Sequence, residues 1–394
     1  MTTCPKCNLR PRRKPGLPCN PCSVAYNRKR RAAERGPEIE ITVVPPEPEP
    51  PKELSTGERL EIARLRQQIA SQRSYTKDLE EQVLTSDSLR QVLGTLGLPN
   101  VRANPAWLQG ANRQQSTRGT GMLFLSDNHF DEVVNPNEIG GCNAYDRDIA
   151  VRRLQNTFRH AIMLLKGYMS SPKYDGIVCA LGGDHVSGNI HDELVETNAA
   201  PINETLIVLE GLLIEGIGSL ADEFGKVHVP CVTGNHGRMH KKPRAKQRAI
   251  HNFEWAVFQR LAGYFRNDNR VTFDIPEGPD AMFSVYERRV CLTHGDQFRG
   301  GGGIGGIMVP ILRGISKKQM RQQAIGDTFD LVMMGHWHQY IHMNQLVING
   351  SSKGYDEYAA ANNFAFEAPQ QALWIEHPNV GATFRMPVLC DKEG

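Results

Sequence analysis

From Gly121 onward, short apolar strands alternate with amphipathic helices, and polar side chains follow the strands directly. The strands are predicted at 122–125, 176–181, 227–232, 289–293 and 330–334, and two of the helices at 148–167 and 204–224. This alternation is typical of an α/β fold. Because open α/β sheets place their sites at the carboxyl ends of the strands, the polar residues there are expected to lie together.

The residues that follow these strands form an ordered series of motifs: D-x-H, G-D, G-N-H, H-G and G-H-x-H. Their polar members are Asp127, His129, Asp184, Asn235, His236, His294, His336 and His338. One such residue alone is more often structural than functional, so the prediction of a functional site depends on the whole ordered series. Mixed carboxylate, amide and imidazole ligands without a thiolate suit divalent ions such as Mn or Fe.

The order of these motifs resembles the calcineurin-like metallophosphoesterase superfamily over roughly residues 121–358. The resemblance implies a β-sandwich flanked by helices, here over 121–390, and hydrolysis of phosphate esters with two divalent ions. Mn is the favoured metal, with Fe and Mg as alternatives. The implied ligands are Asp127, His129 and His338 for one metal, Asn235, His294 and His336 for the other, and Asp184 as the bridge.

The resemblance also implies that His236 donates a proton to the leaving group. The alternative is that His236 only packs against its neighbours. Two positions depart from the family pattern, since members often continue as G-D-x-x-D and G-N-H-D/E. Ser187 and Gly237 stand where those acids would be. An orienting partner for His236 is therefore expected elsewhere, and the candidates are His185, His191 and Asp192, because such partners set the orientation of residues at a metal site.

The N-terminal segment, residues 1–36, is strongly basic, with ten Lys and Arg against one Glu. It contains two C-x2-C pairs, Cys4 with Cys7 and Cys19 with Cys22, which predict a structural zinc ribbon. Chance clustering of cysteines is the alternative. The basic run at 28–31 favours binding of nucleic acid, although a solvated charged surface would have the same composition.

Two further segments separate the ribbon from the α/β region. Residues 37–53 alternate Pro and Glu and predict a stiff, extended linker. Residues 54–93 have a heptad-like pattern interrupted by Gln72 and Thr76. This pattern is compatible with a short coiled coil that forms a homo-oligomer, or with one amphipathic helix on the body of the protein. Residues 94–121 are predicted as a loop.

A basic stretch directly after His236 is the candidate substrate contact. It contains Arg238, Lys241, Lys242 and Arg244, which could position a phosphodiester backbone, and a solvated loop is the alternative. Further candidates are Asn143, Tyr145 and the segment 349–355. Similarity to phage-encoded members of the superfamily is found in the stretches SDNHFDEVV, GGDHVSGNIHDEL and NGSSKGYDEYA.

Together these features favour a nuclease, with DNA preferred over RNA by that similarity alone. A small-molecule nucleotide phosphatase or phosphodiesterase is the first alternative, and a non-catalytic nucleic-acid-binding or structural protein is the second. The chain has no apolar stretch long enough to cross a bilayer and no signal-peptide pattern at its start. A cytoplasmic location without a membrane partner is therefore expected, which is the host cytoplasm if the chain is phage-encoded.

Overall fold

The computed structural model describes residues 105–109, 118–169, 172–299 and 306–391. The predicted zinc ribbon, linker and coiled coil lie outside these residues. The strands, in chain order, are β1 (Arg118–Leu125), β2 (Lys173–Leu181), β3 (Val227–Pro230), β4 (Val271–Asp274), β5 (Asp280–Val285), β6 (Arg288–Thr293), β7 (Leu331–Met334), β8 (Ile341–His342), β9 (Leu346–Ile348), β10 (Gln370–His377) and β11 (Gly381–Leu389). The α-helices are α1 (Ala106–Gln109), α2 (Arg147–Ile162), α3 (Asp192–Thr197), α4 (Ile202–Phe224), α5 (Phe253–Tyr264), α6 (Met308–Ala324) and α7 (Glu357–Ala361).

The strands form two mixed sheets, with orders β11-β10-β1-β2-β3-β4 and β5-β6-β7-β9-β8. In the first sheet β1 to β4 are parallel, and β10 and β11 complete it in antiparallel pairing. In the second sheet β6, β7 and β9 are parallel, with β5 and β8 antiparallel at the edges. The motif-bearing strands β1, β2 and β3 are therefore neighbours, as are β6 and β7.

The inner faces of the two sheets pack against each other through a buried apolar layer. Phe124 of β1, Phe283 of β5 and Trp374 of β10 are fully buried in this layer. Helices α2, α4 and α5 cover the outer face of the first sheet, and α6 covers the outer face of the second through Ile311 and Ile315. The structure is thus a β-sandwich flanked by helices, the architecture that the resemblance implies.

Most element boundaries lie within a few residues of their predicted positions. The predicted loop over 94–121 is wrong at two points, because α1 forms within it and β1 already begins at Arg118. Glycines at 119 and 121 interrupt the apolar pattern in the sequence where the strand begins. Gly119 is needed there because a β-carbon would lie 2.7 Å from Cγ2 of Ile375 on β10. In the described part of the chain, no helix is long and apolar enough to span a bilayer.

Candidate metal centre

The loops after β1, β2 and β7 have an unusual backbone conformation at the motif residues. Asp127, His129, Asp184, His336 and His338 all have positive φ angles, between 48° and 69°. This left-handed region is unfavourable for residues with a β-carbon, and such residues cluster at functional sites. The loops turn sharply where the strands end, and this turn directs the motif side chains toward the same region.

Asp127, His129 and His338 form the first group of converging side chains. Nε2 of His129 lies 3.1 Å from Nε2 of His338, and Oδ1 of Asp127 lies 3.4 Å from the same His338 nitrogen. Asp127 and His129 are buried, whereas the His338 side chain is 29% exposed. Two imidazole nitrogens and a carboxylate at these separations match the donor set of a divalent metal site.

Asp184, His294 and His336 form the second group, and Asn235 adjoins it. Nδ1 of His294 donates to the carbonyl oxygen of Gly182 at 2.9 Å. Nε2 of His294 faces Oδ2 of Asp184 at 2.9 Å and Oδ1 of Asn235 at 3.2 Å. Two oxygen acceptors and a ring nitrogen at these separations share either a proton on the nitrogen or a metal ion that takes its place.

The electrostatics of this group favour a positive charge at His294. Burial by itself would lower the pKa of His294, but the charge and hydrogen bond of Asp184 outweigh it and raise this pKa to about 10. Burial also opposes ionisation of Asp127, and its histidine neighbours nevertheless lower its pKa to about 2. The carboxylates therefore stay ionised at neutral pH, and the region favours a positive charge on whatever occupies it.

Asp184 lies between the two groups. Its carboxylate belongs to the second group, and it also lies within reach of ring nitrogens of His129 and His236. This is the position that the bridging role requires, and the bridging itself stays a prediction.

His236 adjoins both groups and is held by backbone contacts. Its backbone N–H donates to Oδ1 of Asp184 at 2.7 Å, and its ring Nδ1 lies 2.9 Å from the carbonyl oxygen of Ser187. Its ring centroid is 4.5 Å from that of His129 and 5.4 Å from that of His191. The Ser187 carbonyl is thus the orienting partner, and a backbone oxygen of this kind has no signature in the sequence.

The other two predicted partners of His236 are engaged elsewhere. His185 contacts the side chain of Asn128, with its Nδ1 3.0 Å from Nδ2. Asp192 is paired with Lys241. Neither of them therefore orients His236, and of the three predicted partners His191 is the one whose ring lies beside that of His236.

A buried ionic cluster under His129 was not predicted. Nζ of Lys353 lies 2.8 Å from Oε1 of Glu132 and is also paired with Asp356, and Oε2 of Glu132 lies 3.3 Å from Nδ1 of His129. Burial and, after it, the charge of Lys353 lower the pKa of His129 to about 4. His129 is therefore neutral at physiological pH, which is the form that binds a metal.

The segment 349–355, Asn143 and Tyr145 make hydrogen bonds that support the loop after β1. Ser351 Oγ donates to the carbonyl oxygen of Asp127 at 2.7 Å, and Ser352 Oγ donates to Oδ1 of Asn128 at 2.7 Å. The buried Tyr145 donates to the carbonyl oxygen of Asn128, and Asn143 donates to that of Lys353 at 2.9 Å. Their predicted contact with substrate stays a prediction.

The basic stretch after His236 lines a pocket beside Asn235. The guanidinium of Arg238 donates to the carbonyl oxygens of Asn235, His240 and Lys241, so it shapes the loop. Lys241 is paired with Asp192. Lys242 and Arg244 are exposed, and within the described ranges neither makes an ion pair.

No protein-family model matches this sequence, and a search of curated proteins gives no match. Among solved structures, the chain is similar to a conserved Streptococcus pneumoniae protein described as a predicted phosphoesterase, with 9% identity and a TM-score of 0.26 over 68% of this chain and 98% of that chain. It is also similar to a single mutant of Vps29 from Entamoeba histolytica, with 12% identity and a TM-score of 0.27 over 68% and 98% of the two chains. A Vps29 double mutant from the same organism gives 12% identity and a TM-score of 0.23 over 45% and 88%.

Proposed function

We propose that this protein is a phosphoesterase that depends on two divalent metal ions and hydrolyses the phosphodiester bonds of nucleic acid, with DNA favoured. The observation that carries the proposal is the convergence of two groups of side chains with metal-binding atoms. Asp184 belongs to the second group and also lies within reach of His129 of the first. Asp127, His129 and His338 would hold one ion, and Asn235, His294 and His336 the other. The short distances from Nε2 of His294 to oxygens of Asp184 and Asn235 support this ligand set.

A divalent pair bound by these ligands supplies Lewis acidity at a phosphoryl oxygen and a water of lowered pKa, with Mn favoured over Fe and Mg. The chain itself supplies ionised carboxylates and buried imidazoles, of which that of His129 is neutral at physiological pH. This arrangement is rigid, because the ligand loops are tied to one another by hydrogen bonds such as that from the His336 N–H to Oδ1 of Asp127 at 2.9 Å. Rigid placement is what lets such groups act without reorganisation.

His236 is proposed as the proton donor to the leaving oxygen. Its Nδ1 is engaged by the Ser187 carbonyl, and in the described part of the chain its Nε2 makes no hydrogen bond. When protonated, the ring can donate from Nε2 to the oxygen that departs from phosphorus. We expect His236→Ala to keep its bound metals and to lower turnover by about 10²- to 10⁴-fold.

Nucleic acid is the proposed substrate because positive charge adjoins the centre. Lys242 and Arg244 are exposed beside the ligand Asn235 and can neutralise phosphates on either side of the scissile bond. We further propose that Cys4, Cys7, Cys19 and Cys22 bind one structural zinc ion, and that this basic segment recruits the polymer. Self-association through residues 54–93 and a cytoplasmic location are part of the same proposal.

The experiment is Mn²⁺-dependent hydrolysis by the full chain of single-stranded DNA, duplex DNA, RNA and bis-p-nitrophenyl phosphate. We expect cleavage of nucleic acid that weakens with rising salt and on removal of residues 1–53, because phosphate contacts are salt-dependent. Hydrolysis of the small diester alone would indicate a small-molecule phosphodiesterase. Absence of hydrolysis of every substrate by the Mn²⁺-loaded protein would overturn the proposal.

A charge-matched pair of variants isolates the basic stretch. The double variant Lys242→Gln/Arg244→Gln removes two positive charges beside Asn235. The control Arg313→Gln/Lys317→Gln removes two exposed charges from helix α6. We expect only the first variant to raise KM for nucleic acid, and neither to change hydrolysis of the small diester. Equal effects of the two variants would refute a specific contact.

A further inference from the structure

Glu254 is a buried carboxylate that connects two of the motif loops. It lies in the first turn of helix α5 and has no exposed surface. Its Oε1 accepts from the N–H of His185 at 2.6 Å, and its Oε2 accepts from the N–H of Gly234 at 2.7 Å. One side chain thus satisfies two buried amides that belong to different loops, and buried backbone N–H groups need such partners.

Each of those amides is adjacent in sequence to a proposed metal ligand. His185 follows Asp184 after β2, and Gly234 precedes Asn235 after β3. Asn252, the N-cap of α5, strengthens the connection because its Nδ2 donates to the carbonyl oxygen of Gly234 at 2.9 Å. The start of α5 therefore fixes the distance between the loops that contribute Asp184 and Asn235.

The glycine after His236 is explained by the same side chain. A β-carbon on Gly237 would lie 2.9 Å from Cγ of Glu254 and 2.5 Å from Oδ1 of Asn252. Real β-carbons essentially never approach other atoms so closely, so Gly237 leaves the space that these two side chains fill. The acid expected directly after His236 is absent from the sequence, and a carboxylate from the helix lies beside that position instead.

We propose that Glu254 is a positioning residue that sets the separation of Asp184 and Asn235 and thereby the affinity for the second metal ion. The inference rests on the proposed metal centre. Glutamine at this position keeps the size of the side chain but has one acceptor oxygen, and its amide group would face the N–H of the other loop. Loss of a residue that orients metal ligands typically weakens metal binding about 10- to 100-fold.

The test is Mn²⁺ titration of the full chain followed by electron paramagnetic resonance, which distinguishes a spin-coupled pair from isolated ions. We expect two coupled ions in the wild type. In Glu254→Gln we expect a second ion bound at least about 10-fold more weakly and a reduced coupled signal, with the first ion retained. The matched control is Glu376→Gln, which alters another buried carboxylate, one that pairs with Arg288. Glu376 lies beside Thr120 near the start of β1, at the end of the strand away from the metal centre.

Glu376→Gln is expected to keep the coupled pair, so a general loss of stability cannot mimic the result. If Glu254→Gln does not fold, Gly237→Ala gives an independent measurement, because its added methyl group pushes against Glu254 and Asn252. Unchanged affinity and coupling in the folded variant would overturn the inference while the metal centre stands. A wild-type chain that binds no Mn²⁺ pair would overturn the proposed centre itself, and the inference with it.

Discussion

Replacement of Lys353 by methionine tests the buried ionic cluster beneath His129. Lys353 is 3% exposed, and it neutralises Glu132 and Asp356, whose side chains are 9% and 7% exposed. Methionine fills a similar volume but leaves two buried carboxylates without a counter-charge. Removal of one partner from a buried ion pair costs about 3–5 kcal/mol, so we expect a loss of that size in the free energy of unfolding at pH 7.

The loss should depend on pH, with a sign that follows from the carboxylates. Burial favours a raised pKa for Glu132, but in the wild type Lys353 outweighs burial and this pKa is lowered. Without Lys353, burial raises the pKa above the unfolded value of about 4.3. A raised pKa stabilises the folded state below the unfolded pKa, and this contribution is lost as the pH rises through the folded pKa. The deficit of the variant should therefore shrink as the pH falls from 7 toward 4.

Urea unfolding followed by circular dichroism measures this difference. With a slope near 3 kcal/mol per molar for a chain of this size, the midpoint should fall by roughly 1–2 M. Lys317→Met is the control, because Lys317 is exposed on α6 and its replacement should change stability by less than about 0.5 kcal/mol. A loss below about 1 kcal/mol for Lys353→Met, or a loss that does not vary with pH, would refute this account.

Three further outcomes are expected. Burial lowers the pKa of His228 to about 4, so the wild type should lose about 2 kcal/mol more than His228→Leu between pH 8 and pH 5 in urea titrations, and parallel curves would contradict this. Gly216→Ala should lower the free energy of unfolding by about 1–3 kcal/mol, since its β-carbon would lie 2.2 Å from the ring of Phe158. Gly211→Ala on the same helix meets open space, so thermal denaturation should show it to be neutral or stabilising. Asp184→Ala should lose paired metal binding in Mn²⁺ titrations, and retention of two ions would exclude its bridging role.

The alternation of strands and helices and the convergence of the motif residues could be predicted because both follow from local patterns, whereas the sandwich was implied by the family resemblance. Apolar stretches of strand length, each ending in His, Asp or Asn, indicate which residues meet once the strands are parallel. The structure has β1, β2 and β3 side by side in one sheet and β6 beside β7 in the other. Side chains such as Asp127, Asp184 and His294 therefore come from different strands to one edge of the sandwich.

The contacts that hold those residues in place were not predictable in the same way. The Ser187 carbonyl, Glu132 with Lys353, and Glu254 have no motif of their own, and each meets its partner across a large separation in sequence. Their roles depend on which helix starts and loops pack behind the strand ends.

The sequence by itself thus determined the alternation of strands and helices and the chemistry at the strand ends, because hydrophobic periodicity and residue type act locally. Only the tertiary structure decided how that chemistry is oriented. The burial of Glu254 against two loops and the space left by Gly237 arise when distant segments are packed at close-packed density, where each side chain must fit the volume left by the others.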